Sequence, residues 1–332
     1  MKVLKWIFAF IALIFVAYFV GPTPPTPNLA LQPYDIPSDL EKLESYVEKK
    51  ETNTEGIKPD NHARIVWAND TAKTKTPYSV VYLHGFSASQ REGNPMHRAF
   101  AKRYGFNLFL SRLHGHGIAG EEALTDLTVD NYLNSAQEAI EIGKQLGEKV
   151  IVMSTSTGGT LSLQLASQMG DDIDAIIAYS PNISIFNPAA KILSKPWGLT
   201  LAKSLEGDFR EFTGPEGVKE NWTTRYRAEA IVTLQSLLDY TMAEETFQNV
   251  KCPFFLGYYY KNEELQDKVV SVEAMQTMYN QLGTEASKKM KVAFPEAGNH
   301  CIASDIHSRD LESIKTETFK FAEDILRLVP IQ

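Results

Sequence analysis

Ser156 stands where a short apolar run breaks into small residues. Lys149-Val150-Ile151-Val152-Met153 is β-branched and has no helical period. Ser154-Thr155-Ser156-Thr157-Gly158-Gly159 follows, and then Leu161, Leu163, Leu165, Ala166 and Met169 recur at the spacing of an amphipathic helix. The pattern predicts a strand, a sharp turn and a helix. A serine at the apex of such a turn is pushed out above the sheet edge. There its hydroxyl can attack an electrophile, and the next backbone N–H, at the helix N-terminus, can donate to a developing oxyanion. So tight a turn needs small residues two before and two after the serine, and Ser154 and Gly158 meet that need. The structural alternative is a Ser/Thr/Gly turn that caps a helix.

A serine hydroxyl is a weak nucleophile at neutral pH, so this chemistry also requires a base to take its proton and an acid to orient that base. The elements that must bring such groups together alternate along the chain. Strands are predicted at residues 63–67, 78–83, 106–112, 173–179, 252–260 and 289–294, in addition to the one before Ser156. Helices are predicted at 129–146, where Asp130 can cap the start, at 226–240, at 269–282 and at 310–328. Ser38-Asp39-Leu40-Glu41 reads as a capping box, ahead of a helical face of Leu40, Leu43, Tyr46 and Val47. This order predicts an α/β fold, a mostly parallel sheet with helices on both faces. From residue 183 to 246 the alternation stops.

Several of these stretches together resemble the α/β-hydrolase superfamily, and within it the serine carboxylesterase and monoacylglycerol-lipase-like group. They are His84-Gly85-Phe86 after a strand, Leu113-His114-Gly115-His116-Gly117 after the next, and the serine turn. The resemblance spans residues 64 to 328. It implies that Ser156 is the nucleophile, with Ser154 where the family carries its first glycine. It implies that the backbone N–H groups of Phe86 and Thr157 form the oxyanion hole, which leaves the Phe86 side chain to line an acyl pocket. His84 becomes a buttress of that loop. His114 and His116 lack a third ligand at close spacing and belong to a Gly-His-Gly loop rather than a metal site.

The family order, serine then acid then histidine, leaves only His300 and His307 as the base. His300 lies in a glycine-containing loop just past the last predicted strand and is the assigned base, while His307 falls later and should face solvent. The acid should lie in residues 261–268, which hold Glu263, Glu264 and Asp267. Asp267, just ahead of Val269-Val270, resembles the family acid, with the two glutamates as alternatives. The segment 183–246 resembles the family's helical cap. Trp197, Trp222, Phe209 and Phe212 are its candidate pocket walls, packing within the cap being the other role open to each.

The implied activity is cleavage of a small-molecule carboxylic ester or acyl substrate through an acyl-enzyme, with no cofactor and no metal. A peptidase or amidase on the same fold and a non-catalytic binding protein are the alternatives. Serine at the turn, where dehalogenases and epoxide hydrolases of this fold carry aspartate, argues against their chemistry.

Length and composition agree with one sizeable domain. The chain has 332 residues, 43% hydrophobic and 22% charged. Its formal net charge of −8 argues against nucleic acid as a partner. Cys252 is expected at the bottom of the sheet and Cys301 in a loop at the top. A strand separates those levels by about 17–20 Å, so both should be unpaired thiols. Lys2 and Lys5 precede an apolar run from Trp6 to Val20, and Gly21 and Pro22 end it. Residues 1–21 are therefore expected to be a membrane anchor or signal segment, 22–37 a proline-rich linker, and 38–332 the hydrolase domain. An uncleaved anchor would leave that domain outside the cytoplasm, with cleaved secretion as the alternative. Nothing in the sequence sets an oligomeric state.

Overall fold

The computed structural model describes residues 2–331. Nine strands run through it: β1 (Arg64–Val66), β2 (Thr76–Leu83), β3 (Asn107–Leu110), β4 (Gly147–Thr155), β5 (Ala175–Tyr179), β6 (Phe209–Glu211), β7 (Arg225–Arg227), β8 (Phe254–Tyr258) and β9 (Lys289–Ala293). Seven form one sheet in the order β1-β3-β2-β4-β5-β8-β9, and β6 and β7 pair apart from it. Every contact in the large sheet is parallel except that of β1 with β3.

Eleven α-helices accompany them: α1 (Lys2–Phe19), α2 (Leu40–Thr52), α3 (Met96–Tyr104), α4 (Val129–Leu146), α5 (Thr157–Met169), α6 (Gly198–Glu206), α7 (Val218–Asn221), α8 (Ala228–Thr241), α9 (Glu244–Asn249), α10 (Val272–Gln281) and α11 (Leu311–Asp324). This is the α/β-hydrolase architecture expected above.

The continuous apolar character of the central strands has a direct cause, because successive side chains enter different cores. Val81, Leu83, Val150, Val152, Ile176, Ala178, Phe254 and Leu256 point to one face, where Leu133, Ile140, Leu161, Leu165 and Met275 cover them. Val80, Tyr82, Ile151, Met153, Ile177, Tyr179 and Phe255 point to the other, under Met96, Phe100, Ile314 and Phe321. Helices α4, α5 and α10 thus cover the first face and α3 and α11 the second.

Helix starts differ from the sequence reading by a residue or two. Asp39 rather than Ser38 caps α2, accepting from the Lys42 N–H at 2.9 Å. Thr128 caps α4 in a reciprocal box with Asn131, while Asp130 instead accepts the N–H of Asn28. Tyr226, read as helical, lies in β7, paired with Arg210.

The expected membrane anchor is not borne out, and the localisation built on it goes with it. Among the described residues no helix is long and apolar enough to cross a membrane. Helix α1 has 18 residues, but Lys2 and Lys5 occupy its first turns. The uninterrupted apolar part, residues 6–19, rises only about 21 Å against a hydrocarbon core of about 30 Å. Nor do the residues after it act as a free spacer. Gln32 exchanges hydrogen bonds with the Gln137 side chain, and the Tyr34 hydroxyl donates to Asn134 O at 2.7 Å, so this stretch lies along α4.

Helix α4 packs close to the sheet through Gly143. A Cβ there would come within 2.4 Å of Val81 Cγ2, and the Gly143 carbonyl accepts from Ser79 Oγ at 2.7 Å. Gly143→Ala gains about 1 kcal/mol of helix propensity but must displace a buried strand side chain, at a cost of about 1–3 kcal/mol. Overpacking should win and lower the thermal unfolding midpoint, and adding Val81→Ala should recover part of the loss. A midpoint raised by Gly143→Ala alone would show that this helix has room to move.

Candidate active site

Ser156 occupies the turn between β4 and α5 with φ 53° and ψ −120°, a conformation that non-glycine residues rarely adopt. Holding it costs on the order of 1–3 kcal/mol, which the surroundings must offset. They do so through backbone. Ser156 N–H donates to Tyr179 O at 3.0 Å, and Ser156 O accepts from Gly159 N and Asn182 N, both at 2.9 Å. Gly158 is indispensable, since a Cβ there would lie 2.0 Å from the Leu83 carbonyl oxygen. Ser154 fits in place of the family's glycine, fully buried, with its hydroxyl lacking a protein partner among the described residues.

The His84-Gly85-Phe86 loop leaves the end of β2 against this turn. A Cβ on Gly85 would meet Ser156 Cβ at 3.0 Å, so the loop and Ser156 are in contact. The N–H groups of Phe86 and Thr157 belong to the residues that follow this contacting pair in sequence, and neither donates to a protein acceptor among the described residues. His84 is a buttress, as expected. Its Nε2 accepts from Leu113 N–H at 3.1 Å, and its Nδ1 donates to Gly85 O at 2.9 Å. Burial, opposed by that backbone bond, pulls its pKa down to about 4, so it stays neutral.

His300 and Asp267 meet, with Nδ1 to Oδ2 at 2.6 Å and both side chains buried. The remaining Asp267 oxygen accepts from Val269 N–H at 2.8 Å and Val270 N–H at 3.1 Å, in the turn ahead of α10. Burial alone would lower the His300 pKa. The Asp267 charge and hydrogen bond outweigh it, helped by Glu92, and the net is a raised value. Among the described residues His300 Nε2 is buried without a protein partner, so the bond to Ser156 Oγ is not closed. Catalytic hydrogen bonds commonly tighten only around a substrate. Glu263 instead accepts from Tyr260 and Gln266 at the surface, and Glu264 is likewise exposed.

Other sequence candidates separate in space. His307 does not face open solvent. It is half-buried, edge-on to Trp222 at 5.2 Å, and burial lowers its pKa. His114 pairs with Asp126, and His116 turns inward to stack on Tyr132, so the two rings do not converge. Cys252 and Cys301 are both free thiols. Trp222 is 6% exposed and packs with Ala88 and Cys301, next to the His300 loop. Trp197 turns away from the site. Its Nε1 donates to Ala17 O at 2.8 Å, and its ring is 43% exposed. Phe209 lies under the guanidinium groups of Arg225 and Arg227.

Phe212 lines a cavity of about 440 Å³ within the insertion, with Ile185, Leu193, Leu201, Ala202 and Tyr226. Tyr226 links this cavity to the His84-Gly85-Phe86 loop, its ring edge-on to Phe86 at 5.3 Å. Sequence reading missed Tyr226 because a helical pattern absorbed it. It missed Glu92 because Gln90-Arg91-Glu92 looks like any solvated charged turn.

Comparison with known proteins agrees with this geometry. The model of the family described as serine aminopeptidase, S33, matches residues 74–306. A thermostable monoacylglycerol lipase from Bacillus sp. (strain H-257) is 28% identical over 177 residues, covering 53% of this chain and 67% of the lipase. Among solved structures, one from work on LipS and LipT, two metagenome-derived lipolytic enzymes, aligns with a TM-score of 0.65 at 20% identity. It covers 80% of this chain and 98% of its own. A soluble variant of monoglyceride lipase from Saccharomyces cerevisiae aligns at 0.58 and 12% identity, covering 79% and 90%. At such identities these structures speak for the fold. With the family match over most of its length, the chain belongs to the serine aminopeptidase S33 family of α/β-hydrolases.

Proposed function

We propose that this protein hydrolyses carboxylic esters with Ser156 as nucleophile, His300 as general base and acid, and Asp267 as the group that orients His300. The observation that carries the reading is the buried His300–Asp267 pair, with Nε2 left unpartnered on the side of the imidazole opposite Nδ1. His300 takes the Ser156 proton as the hydroxyl oxygen attacks the ester carbonyl. The N–H groups of Phe86 and Thr157 hold the oxyanion, and His300 then gives the proton to the leaving alcohol. Water repeats the sequence on the acyl-enzyme and frees the acid. Asp267 holds the Nδ1–H tautomer and stabilises the imidazolium that forms at each step.

Residues 183–246 act in this reading as a cap, and the cavity inside it takes the acyl chain. Its volume of about 440 Å³ and its walls of Ile185, Leu193, Leu201 and Phe212 suit a hydrocarbon tail, with Tyr226 and Phe86 between tail and carbonyl. The Bacillus relative named as a monoacylglycerol lipase supports a lipid ester as the substrate class.

A fluorophosphonate probe should label wild type at Ser156, and Ser156→Ala or His300→Ala should abolish labelling and lower kcat by about 10⁴-fold or more. Labelling that survives Ser156→Ala, or aminoacyl anilides cleaved in preference to aryl esters, would overturn the reading, the latter in favour of a peptidase.

His300 must be neutral to act as base, and its pKa lies above the ordinary 6.5. Ester kcat/KM should therefore fall, as pH drops, through a midpoint above 6.5. Asp267→Asn removes the charge that raises it, so the residual activity of that variant should lose its acidic limb at a lower pH.

Ala202→Phe fills the cavity and should cut kcat/KM for octanoate esters at least tenfold while sparing acetate esters. Equal loss on both would place the acyl chain elsewhere.

A further inference from the structure

Glu92 is a carboxylate that the reaction outlined above does not use, yet it lies at the centre of the site's backbone. It sits in the short 3₁₀ turn Gln90–Gly93 and is 2% exposed. Its Oε2 accepts from Gly85 N–H at 2.6 Å and from the Tyr82 hydroxyl at 3.3 Å. Its Oε1 faces Cys301 Sγ at 3.7 Å, so it abuts the residue directly after His300. A Cβ on Gly85 would strike Glu92 Oε1 at 2.8 Å on one side and Ser156 Cβ at 3.0 Å on the other. The oxyanion loop is thus held between this carboxylate and the nucleophile.

Burying a carboxylate costs several kcal/mol unless it is paired. Among the described residues no lysine or arginine forms an ion pair with Glu92, and the neighbouring Arg91 is committed to Asp305. The groups that face it are neutral at pH 7. From β2 comes the Tyr82 phenol and from the loop after β9 the Cys301 thiol, each kept protonated by burial. The Tyr132 phenol of α4, also kept protonated by burial, feels its charge from farther off. Burial pushes Glu92 itself up to about 7, against the opposing pull of Gly85 N–H and His300. The one group in this set that gains positive charge during acyl transfer is His300, whose imidazolium Glu92 stabilises.

We infer that Glu92 is a positioning residue of this active site. Its carboxylate fixes Gly85 N–H, and so aims the adjacent Phe86 N–H at the oxyanion. It also sets a second negative charge, beside that of Asp267, against the imidazolium of His300. An amide or an apolar residue would satisfy the packing alone. A carboxylate is required only if the charge matters in the transition state.

The inference rests on the hydrolase reading, so the experiment begins with wild type. Turnover of p-nitrophenyl butyrate and fluorophosphonate labelling test that reading alone, and failure of both would sink it whatever Glu92 does. Given an active wild type, Glu92→Gln keeps the shape and an acceptor for Gly85 N–H but removes the charge. We expect kcat to fall about tenfold with KM within about twofold, and the acidic limb of kcat/KM to move about one unit to lower pH as His300 loses a stabilising charge. Glu92→Ala also frees the loop and should cost about a hundredfold or more in kcat.

A Glu92→Gln enzyme with wild-type kcat and an unmoved limb would overturn the inference. So would one in which kcat and thermal stability fall together while the limb stays in place, since that is packing alone. Should both variants fail to fold, ¹³C-carboxyl NMR of wild type decides. One buried glutamate should titrate near neutrality, and its midpoint should drop once Ser156 is phosphonylated, fluoride has left and His300 holds the serine proton. No such drop would equally overturn the inference.

Discussion

The constraint on which the Ser156 turn depends is a contact between two pieces of backbone. The start of α5 is pressed against the end of β2 so tightly that at Gly158 a side-chain carbon would sit 2.0 Å from the Leu83 carbonyl oxygen. Parallel pairing of β2 with β4, up to Leu83 opposite Ser154, sets that distance. Because the two strand ends are level, the loop that leaves β2 must pass beside the serine turn. Gly85 then comes to lie against Ser156. Hydrogen bonds from the end of β5 hold the turn in its costly conformation. The three adjacent central strands therefore build the Ser156 turn and the loop beside it mainly from main chain.

Around that backbone the side chains are largely buried, and burial sorts their ionisable groups by partner. His84 and His97 are buried with backbone oxygens as partners and no carboxylate, and desolvation wins, taking them to about 4 and about 3. The His300 side chain is slightly more exposed, at 9%, and there the Asp267 carboxylate reverses the sign. The same low-dielectric setting makes the charge on Glu92 consequential at the imidazole, where an exposed glutamate would be screened.

The segment between β5 and β8 is tied to the body at a few points. Thr223 N–H donates to Ser87 O at 2.7 Å, and Lys58 Nζ donates to the Lys219 and Trp222 carbonyls at 2.9 and 2.7 Å. These bonds secure the α7 end beside the oxyanion loop. On the far side α6 carries Leu201 and Leu205, both strongly exposed, at the rim of the apolar cavity. Trp197, which the resemblance of residues 183–246 to a helical cap made a candidate pocket wall, is spent on the N-terminal segment instead.

The sequence by itself determined the strand-turn-helix around Ser156, the layered α/β order, the histidine after the last strand and a short choice of acids after the one before. All of these are local. Hydrophobic period marks the elements, and a tight turn admits only small residues such as Ser154 and Gly158. Only the tertiary structure decided which acid reaches the imidazole. Asp267, Glu263 and Glu264 differ by four positions at most, but the turn into α10 sends one inward and leaves the others in water. It also decided that residues 28–34 lie along α4, that α1 falls short of a bilayer, that Trp222 packs beside the site while Trp197 does not, and that Glu92 is buried. Each of these depends on which distant surface a side chain meets, and no periodicity or spacing along the chain encodes that.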